Sequence, residues 1–411
     1  MRLIKTFLFF FLSFLFIVAV QQYLLCPQFD FKSSGKFSGS HWYNPYEGLK
    51  QHWSKYNFHT HTNAWFGLTN GKGKEIDVEK RYRELGYSQA FVSNYHKPSS
   101  SSLIPVYEHG FNIQKTHQQV IGDKKVVWLD YVFPQTLANK QYILEKIGRT
   151  SSGLVCLNHP MLRDGYTEKE MGLLSQFQLM EVLHPYIESK KIWDAALSSG
   201  NPVFNIANDD VHNIFSQEQS GRFCTLLSDK SKNEDEIKEA LKWGRNYGMK
   251  IGYNENESEK NRIQRIKYDL PELNKMELSK NQLFIALSKK AEKIVFVSDS
   301  GRISKVIVNA ANGNYNLNTS DSYVRVEAYF SDGTELMFNP IYKYTDSPLE
   351  GRNSNSEKSL IKTLSISLMG YFLILSWIYF TIRLRFVPNK IKEKKIRLQP
   401  KLLESLFIKR I

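Results

Sequence analysis

Hydrophobic positions along this chain change rhythm three times. Residues 6–29 carry no charge, and 7–20 are almost entirely apolar. Residues 363–382 are again uncharged and rich in Leu, Ile, Phe, Tyr and Trp. A helix of about 20 apolar residues matches the ~30 Å hydrocarbon core of a bilayer, so both ends read as membrane segments. Between them, apolar runs too short for helices alternate with segments of helical period. The runs at 56–61, 90–92, 126–132, 154–157, 179–183 and 203–207 predict strands. Helical spacing covers 75–85, 137–147, 190–197 and 234–247. In the first of these helices, Ile76, Val78, Tyr82 and Leu85 form a stripe suited to burial. Gly86, Gly148 and Gly200 stand where the first three should stop. Strand, helix, strand, helix predicts a parallel α/β arrangement.

After residue 286 the period falls to two. Strands are expected at 293–298, 305–309, 323–329 and 335–338, with Ser331-Asp332-Gly333-Thr334 as a hairpin turn. This reads as a small antiparallel β domain over 286–346, preceded by a charged linker or exposed helix at 254–285. The expected order is therefore a signal anchor at 1–29, a metallohydrolase domain at 50–250, the linker, the β domain, a transmembrane helix at 363–382 and a tail at 383–411.

Charge sharpens the membrane reading and removes another. The net charge is +14, but ten Lys/Arg and two Glu in residues 383–411 contribute +8 of it. The first five residues add Arg2 and Lys5, leaving about +4 for everything between. A folded domain with so little excess charge lacks the basic footprint of a nucleic-acid binder, and no nucleic acid partner is expected. Basic segments flanking apolar spans stay on the cytoplasmic side. Both termini are then cytoplasmic, the main domain lies outside the cell membrane, and the bilayer is a partner. Cys26, Cys156 and Cys224 are widely spaced without a CxxC pattern, so buried thiols rather than a disulfide framework are expected.

Chemistry concentrates where strands should end. Phe58-His59-Thr60-His61 closes the first run, and alternate strand residues share a face, so the two imidazoles point the same way. His159 follows the strand at 154–157, and Asp210 and His212 follow the one at 203–207. Functional groups in parallel α/β barrels gather at that end of the strands. Glu108 and His117 lie between, and imidazole with carboxylate suits Zn, Mn or Fe.

This set of spaced motifs resembles the PHP (polymerase and histidinol phosphatase) family over roughly residues 55–250. The resemblance implies a distorted (β/α)7-type barrel that carries metal-dependent phosphoesterase activity. It implies that His59, His61, Glu108 and Asp210 hold one divalent metal, and that Glu108, His117 and His159 hold a second. Two positions depart from the family pattern. Asn70 stands before Gly71 where Asp or His is usual, and Tyr95 takes the place of a histidine, with His96 one residue out of register. Those positions, with His212, normally support a third metal. Two ions (Mn, Zn or Fe) are therefore expected. A metal-bridging hydroxide would attack a phosphate ester, with His212 protonating the leaving oxygen or contacting phosphate, Asp210 as ligand and Arg222 neutralising charge. His109 and His184 are expected to be bystanders, or at most to orient a ligand. The expected substrate is a phosphorylated small molecule or envelope component. The alternative is a non-catalytic metal-containing binding or scaffold protein.

Overall fold

In a computed structural model, the chain is described at residues 2–33, 35–49, 52–99, 102–228, 233–349 and 356–386. It divides into two units, residues 1–28 with 359–411, and residues 29–358. Each is built on its own logic.

In the first unit, helix Arg2–Tyr23 and helix Leu360–Phe386 are long and apolar enough to cross a membrane. They run antiparallel. Trp377 Nε1 donates to Ser13 Oγ at 3.2 Å, and Gln28 N donates to Thr363 Oγ1 at 2.9 Å. Gly370 lets the two backbones approach, since a Cβ there would meet Leu25 Cδ2 at 2.9 Å and Leu24 Cβ at 3.0 Å. The tail from 387 onwards lies outside the described residues.

The second unit is mixed α/β. One sheet has five strands, in the order Phe204–Ala207, Leu179–Leu183, Leu154–Asn158, His117–Ile121, Val106–His109. The first three are parallel and the last two antiparallel. All five are buried along their length, which is why Leu154–Asn158 and Leu179–Leu183 read as largely apolar runs rather than alternation. Helix Leu137–Thr150 leads into Leu154–Asn158, and helix Lys190–Ser198 connects the parallel strands Leu179–Leu183 and Phe204–Ala207. The former begins at a Thr136 cap, whose side chain accepts from Asn139 N, and it runs through Gly148 rather than stopping there.

A second sheet joins Trp53–Asn57, Phe223–Ser228 and Asn246–Lys250 to the strands of the C-terminal half. The predicted antiparallel strands form, and the long hairpin Gln282–Ser298 with Arg302–Asn316 extends two of them. Their sheet is continuous with that of Trp53–Asn57, through the pairing of Asn246–Lys250 with Glu335–Phe338. Asparagine side chains stitch the seam between the two sheets. Asn205 N donates to Asn339 Oδ1 at 2.7 Å, and Asn246 Nδ2 donates to Asn205 O at 2.7 Å.

Several sequence expectations are corrected here. Among the described residues no single closed barrel forms. The two sheets meet at the isolated bridge Thr60↔Val211, and Tyr95↔Glu108 joins the small Ser93–Asn94/Lys97–Pro98 hairpin to the five-stranded sheet, because the chain leaves regular pairing where the functional loops begin. Residues 126–132 are not a strand; His117–Ile121 takes that place, with its polar start hidden in a buried cluster. The helix expected at 234–247 ends at Lys242, and Asn246–Lys250 is a strand. Residues 254–285 are no simple linker, since they hold helix Glu259–Tyr268 and strand Leu273–Ser279. Ile76 is exposed, so only Val78, Tyr82 and Leu85 of the predicted stripe are buried. The three cysteines are buried thiols, as expected.

Candidate metal centre

The parallel strands deliver their loops to one end of the five-stranded sheet. His159 follows Leu154–Asn158, His184 follows Leu179–Leu183, and Asp210 follows Phe204–Ala207. His117 begins an antiparallel strand and pairs with Asn158, so it stands at the same end. His59 and His61 lie just past the end of Trp53–Asn57 rather than within it. His159 and Asp210 sit in left-handed backbone conformations, with φ of 30° and 45°. Such strained positions in loops concentrate at functional sites.

These side chains form one buried network. His59 Nε2 lies 3.2 Å from Asp210 Oδ1 and 3.4 Å from Glu108 Oε2. His61 Nε2 is 3.2 Å from each of the same two oxygens. Glu108 turns its other oxygen to His117 Nδ1 at 2.8 Å and His159 Nε2 at 3.4 Å. His212 Nε2 is 3.4 Å from Asp210 Oδ1 and stacks on the His61 ring at 4.5 Å between centroids. All seven predicted ligands are thus brought together, with Glu108 shared between two groups. Glu108 Oε2 and Asp210 Oδ1 are buried without a hydrogen-bond partner, although three ring nitrogens, of His59, His61 and His212, crowd around them. Buried carboxylate oxygens with no donor, facing imidazole nitrogens, fit divalent cations. Arg222, the predicted phosphate contact, lines a cavity with Asp210 and His184, and its Nε has no hydrogen-bond partner.

A further layer orients the ligands. Glu181 Oε1 accepts from His59 Nδ1 at 3.1 Å, leaving Nε2 to face the centre. Glu181 also receives His159 N and Asn208 Nδ2, both at 3.0 Å. His184 is no bystander, because its Nε2 lies 3.2 Å from Asp210 Oδ2. Tyr186 N donates to His184 Nδ1 at 3.3 Å, so the proton sits on Nε2 and is donated to Asp210. Asp210 is thereby held by one oxygen while the other faces the site. Its neighbour Asp209 points away, accepting from Tyr82 Oη and the N–H groups of Gly221, Arg222 and Phe223. Glu181 was visible in sequence as the sole charge inside a buried apolar strand.

The departure at Tyr95 and His96 also resolves, while Asn70 lines a cavity beside Tyr95 and His117. His96 bonds Val127 O at 2.9 Å through Nδ1 and accepts from Gly110 N at 3.1 Å through Nε2. Both nitrogens are used, and burial takes its pKa down to about 3. His96 is structural. Tyr95 stands in the site, its ring stacked on His61 at 4.8 Å and edge-on to His117 at 5.6 Å. Burial, with Glu108 and Asp210 beside it, pushes the Tyr95 phenol up, so it remains a neutral donor. His109 bonds Gln118 and Leu129 O and does not enter the network.

Charge within the network is mutual. Burial opposes a proton on His59, but Asp210, Glu108 and Glu181 outweigh it and hold His59 well above the usual imidazole range. His61 is raised in the same way. Burial opposes ionisation of Glu108 and Asp210, yet the histidines hold both well below the carboxylate range. Without metal, protons on the imidazoles balance the carboxylates; a divalent cation must displace them. Metal affinity is therefore expected to rise with pH as His59 and His61 lose their protons. Calorimetric titration of metal-free protein in buffers of different ionisation enthalpy should register proton release. An uptake independent of buffer and pH would contradict this charge balance.

No family model matches the chain, and no curated protein matches it. Among solved structures, the chain is similar to a two-domain protein from Bacteroides vulgatus ATCC 8482 containing a predicted PHP-like metal-dependent phosphoesterase. The identity is 10%, the match covers 79% of this chain and 98% of that one, and the TM-score is 0.39. The likeness is loose, and the functional reading rests on the side chains.

Proposed function

We propose that this protein is a membrane-anchored, metal-dependent phosphoesterase of the PHP type, with its main domain outside the cytoplasm. The observation that carries the reading is the convergence of Glu108 and Asp210 on His59, His61, His117, His159 and His212. His59, His61, Glu108 and Asp210 would hold one ion, and Glu108, His117 and His159 a second. Divalent ions so placed lower the pKa of bound water and neutralise phosphoryl charge. The protein's own groups do the rest. Arg222 faces the cavity beside Asp210 and offers a guanidinium to the phosphate. His212 is partly exposed and its Nδ1 has no hydrogen-bond partner; burial takes its pKa down to about 4, which suits it as a neutral imidazole to contact phosphate. Tyr95, neutral and fixed between His61 and His117, fills the position where a third metal's ligand would stand, in keeping with two ions.

The test is metal content of the purified full chain by elemental mass spectrometry, with a phosphoester panel on the same sample. About two ions per chain and turnover that vanishes on chelation support the reading. Two ions without turnover of any phosphoester would favour a binding or scaffold role. In the same assay His212→Asn is expected to keep both ions and lose about 10–100-fold in kcat, the size of one hydrogen bond to a charged group. Loss of metal in that variant would make His212 a ligand instead.

A further inference from the structure

Two cavities of unlike chemistry meet the metal-ligand network at its two ends. The contacts run from His184 to Asp210 (3.2 Å), Asp210 to His61 (3.2 Å), His61 to Glu108 (3.2 Å) and Glu108 to His117 (2.8 Å). At the His184 and Asp210 end lies a cleft of about 500 Å³ that mixes charged Glu188, Arg222 and Lys250 with Tyr186, Ile187 and Phe223, among others. Lys250 is neutralised by Glu188 at 3.1 Å and Glu335 at 2.7 Å. Arg222 stacks its guanidinium on Tyr253 at 4.3 Å and keeps Nε without a hydrogen-bond partner. At the His117 end lies a cleft of about 550 Å³ in which Trp65, Leu68, Phe111 and Trp128 form an apolar wall, with Asn70 and Lys115 among its polar lining.

We infer that the substrate is a phosphodiester with two unlike arms, a hydrocarbon arm over the aromatic wall and a polar arm in the Arg222 cleft, as in a membrane phospholipid. This rests on the phosphoesterase reading. A monoester has one organic substituent and would leave one cleft without a role. The aromatic side chains of the wall touch one another in series. His96 is sandwiched between Phe111 at 4.2 Å and Trp128 at 5.3 Å, and Trp65 is pinned by its Nε1 donating to Tyr95 O at 2.7 Å. Trp65 meets Trp128 edge-on, at 73° between planes, so the wall lacks parallel faces to sandwich a nucleobase. It continues outward to Phe66 and Leu68, which are 106% and 88% exposed. An apolar surface of this kind needs an apolar occupant, and a flexible chain follows its stepped contour where a flat ring cannot. The chain itself carries two helices apolar enough to cross a membrane, so a bilayer is the apolar phase within its reach.

In the reaction a water oxygen forms a new bond to phosphorus and one phosphorus–oxygen ester bond breaks. The departing arm takes a proton and leaves as an alcohol, and the other arm stays on a phosphate monoester.

The experiment uses full-length, metal-loaded protein in maltoside micelles at fixed detergent. Substrates are p-nitrophenyl alkyl phosphodiesters of increasing chain length, with p-nitrophenyl phosphate alongside. In the wild type, kcat/KM is expected to rise about twofold per methylene, a fraction of full hydrocarbon transfer. Leu68→Ser and Trp128→Ser should each flatten that dependence while metal content stays at the wild-type level. Leu68 is surface-exposed, so its replacement tests the wall without a folding defect. A flat wild-type series, or an unchanged slope in both variants, overturns the inference. Monoester cleavage with no diester cleavage overturns it while leaving the phosphoesterase reading intact. Absence of cleavage of every phosphoester removes both.

Discussion

Glu108→Gln is expected to cost about 10³-fold in kcat and to lower bound metal from two ions to fewer than one. Removing a group that merely orients a ligand typically costs about 10–100-fold, and Glu108 does more. One of its oxygens lies 3.2 Å from His61 Nε2 and the other 2.8 Å from His117 Nδ1, so a single carboxylate joins both ligand groups. Glutamine keeps the shape but removes the charge and offers an N–H₂ to imidazoles that already have too few acceptors. The informative control is Glu181→Gln. Glu181 touches His59 Nδ1 from behind, at 3.1 Å, and should cost only the smaller, orienting amount while metal is retained. Elemental analysis and steady-state kinetics on both variants decide the matter. Equal losses in the two, with metal kept in both, would mean that Glu108 is not the shared ligand.

Asp194→Ala is expected to destabilise the protein by about 3–5 kcal/mol, the cost of stranding a buried charge. Arg325 is almost completely buried and makes a two-pronged contact with Asp194, Nε to Oδ1 and Nη2 to Oδ2, both at 2.7 Å. Asp194 also accepts from Tyr323 Oη at 3.0 Å, and the Arg325 guanidinium lies 5.0 Å from the Trp193 ring. Glu327 completes the network. Asp194 sits on helix Lys190–Ser198 and Arg325 on strand Tyr323–Tyr329, so the pair ties the α/β half to the C-terminal strands. Asp194→Ala with Arg325→Met should recover much of the loss, since an apolar replacement of a buried ion pair is often neutral. Urea denaturation of the full chain measures both. A single-variant loss under about 1 kcal/mol would place the pair with solvent-screened surface ion pairs.

The two expectations differ in how visible their residues were beforehand. Glu108 and its partners stand in loops and strand ends, where a polar residue after an apolar run is conspicuous. Asp194 and Arg325 are charges within a predicted helix and a predicted alternating strand, where such residues usually face water. Their burial follows from the docking of two segments more than 120 residues apart, which leaves no local trace. The strand at His117–Ile121 was missed for a related reason. Three of its five residues are polar yet buried, because Glu108, Tyr166 and Phe58 O give them partners. The stretch at 254–285, expected as a charged linker or exposed helix, follows the reverse argument: it does hold helix Glu259–Tyr268, but that helix is seated on the core. High charge density predicts exposure, but Ile266, Leu273 and Met276 are enough to seat a helix and a strand on the core.

By itself the sequence marked the candidate ligands, their order along the chain and, for His159 and Asp210, the strand ends at which they stand. These are local properties, encoded by side-chain chemistry, a two-residue or 3.6-residue period and the residues that end an element. It also marked the two apolar helices, since twenty uncharged residues declare themselves by length alone. Only the tertiary structure decided which neighbours enter the centre. His96 and Tyr95 are adjacent, yet Val127 O and Gly110 N capture His96 while Tyr95 faces His61. Asp209 and Asp210 are adjacent, yet one binds three backbone amides and the other faces four imidazoles. Glu181 and His184 join the site through strand pairing that places Leu179–Leu183 between its two parallel neighbours. Each of these choices turns on one residue of register across non-local pairings, and a one-residue shift reverses the face a side chain presents.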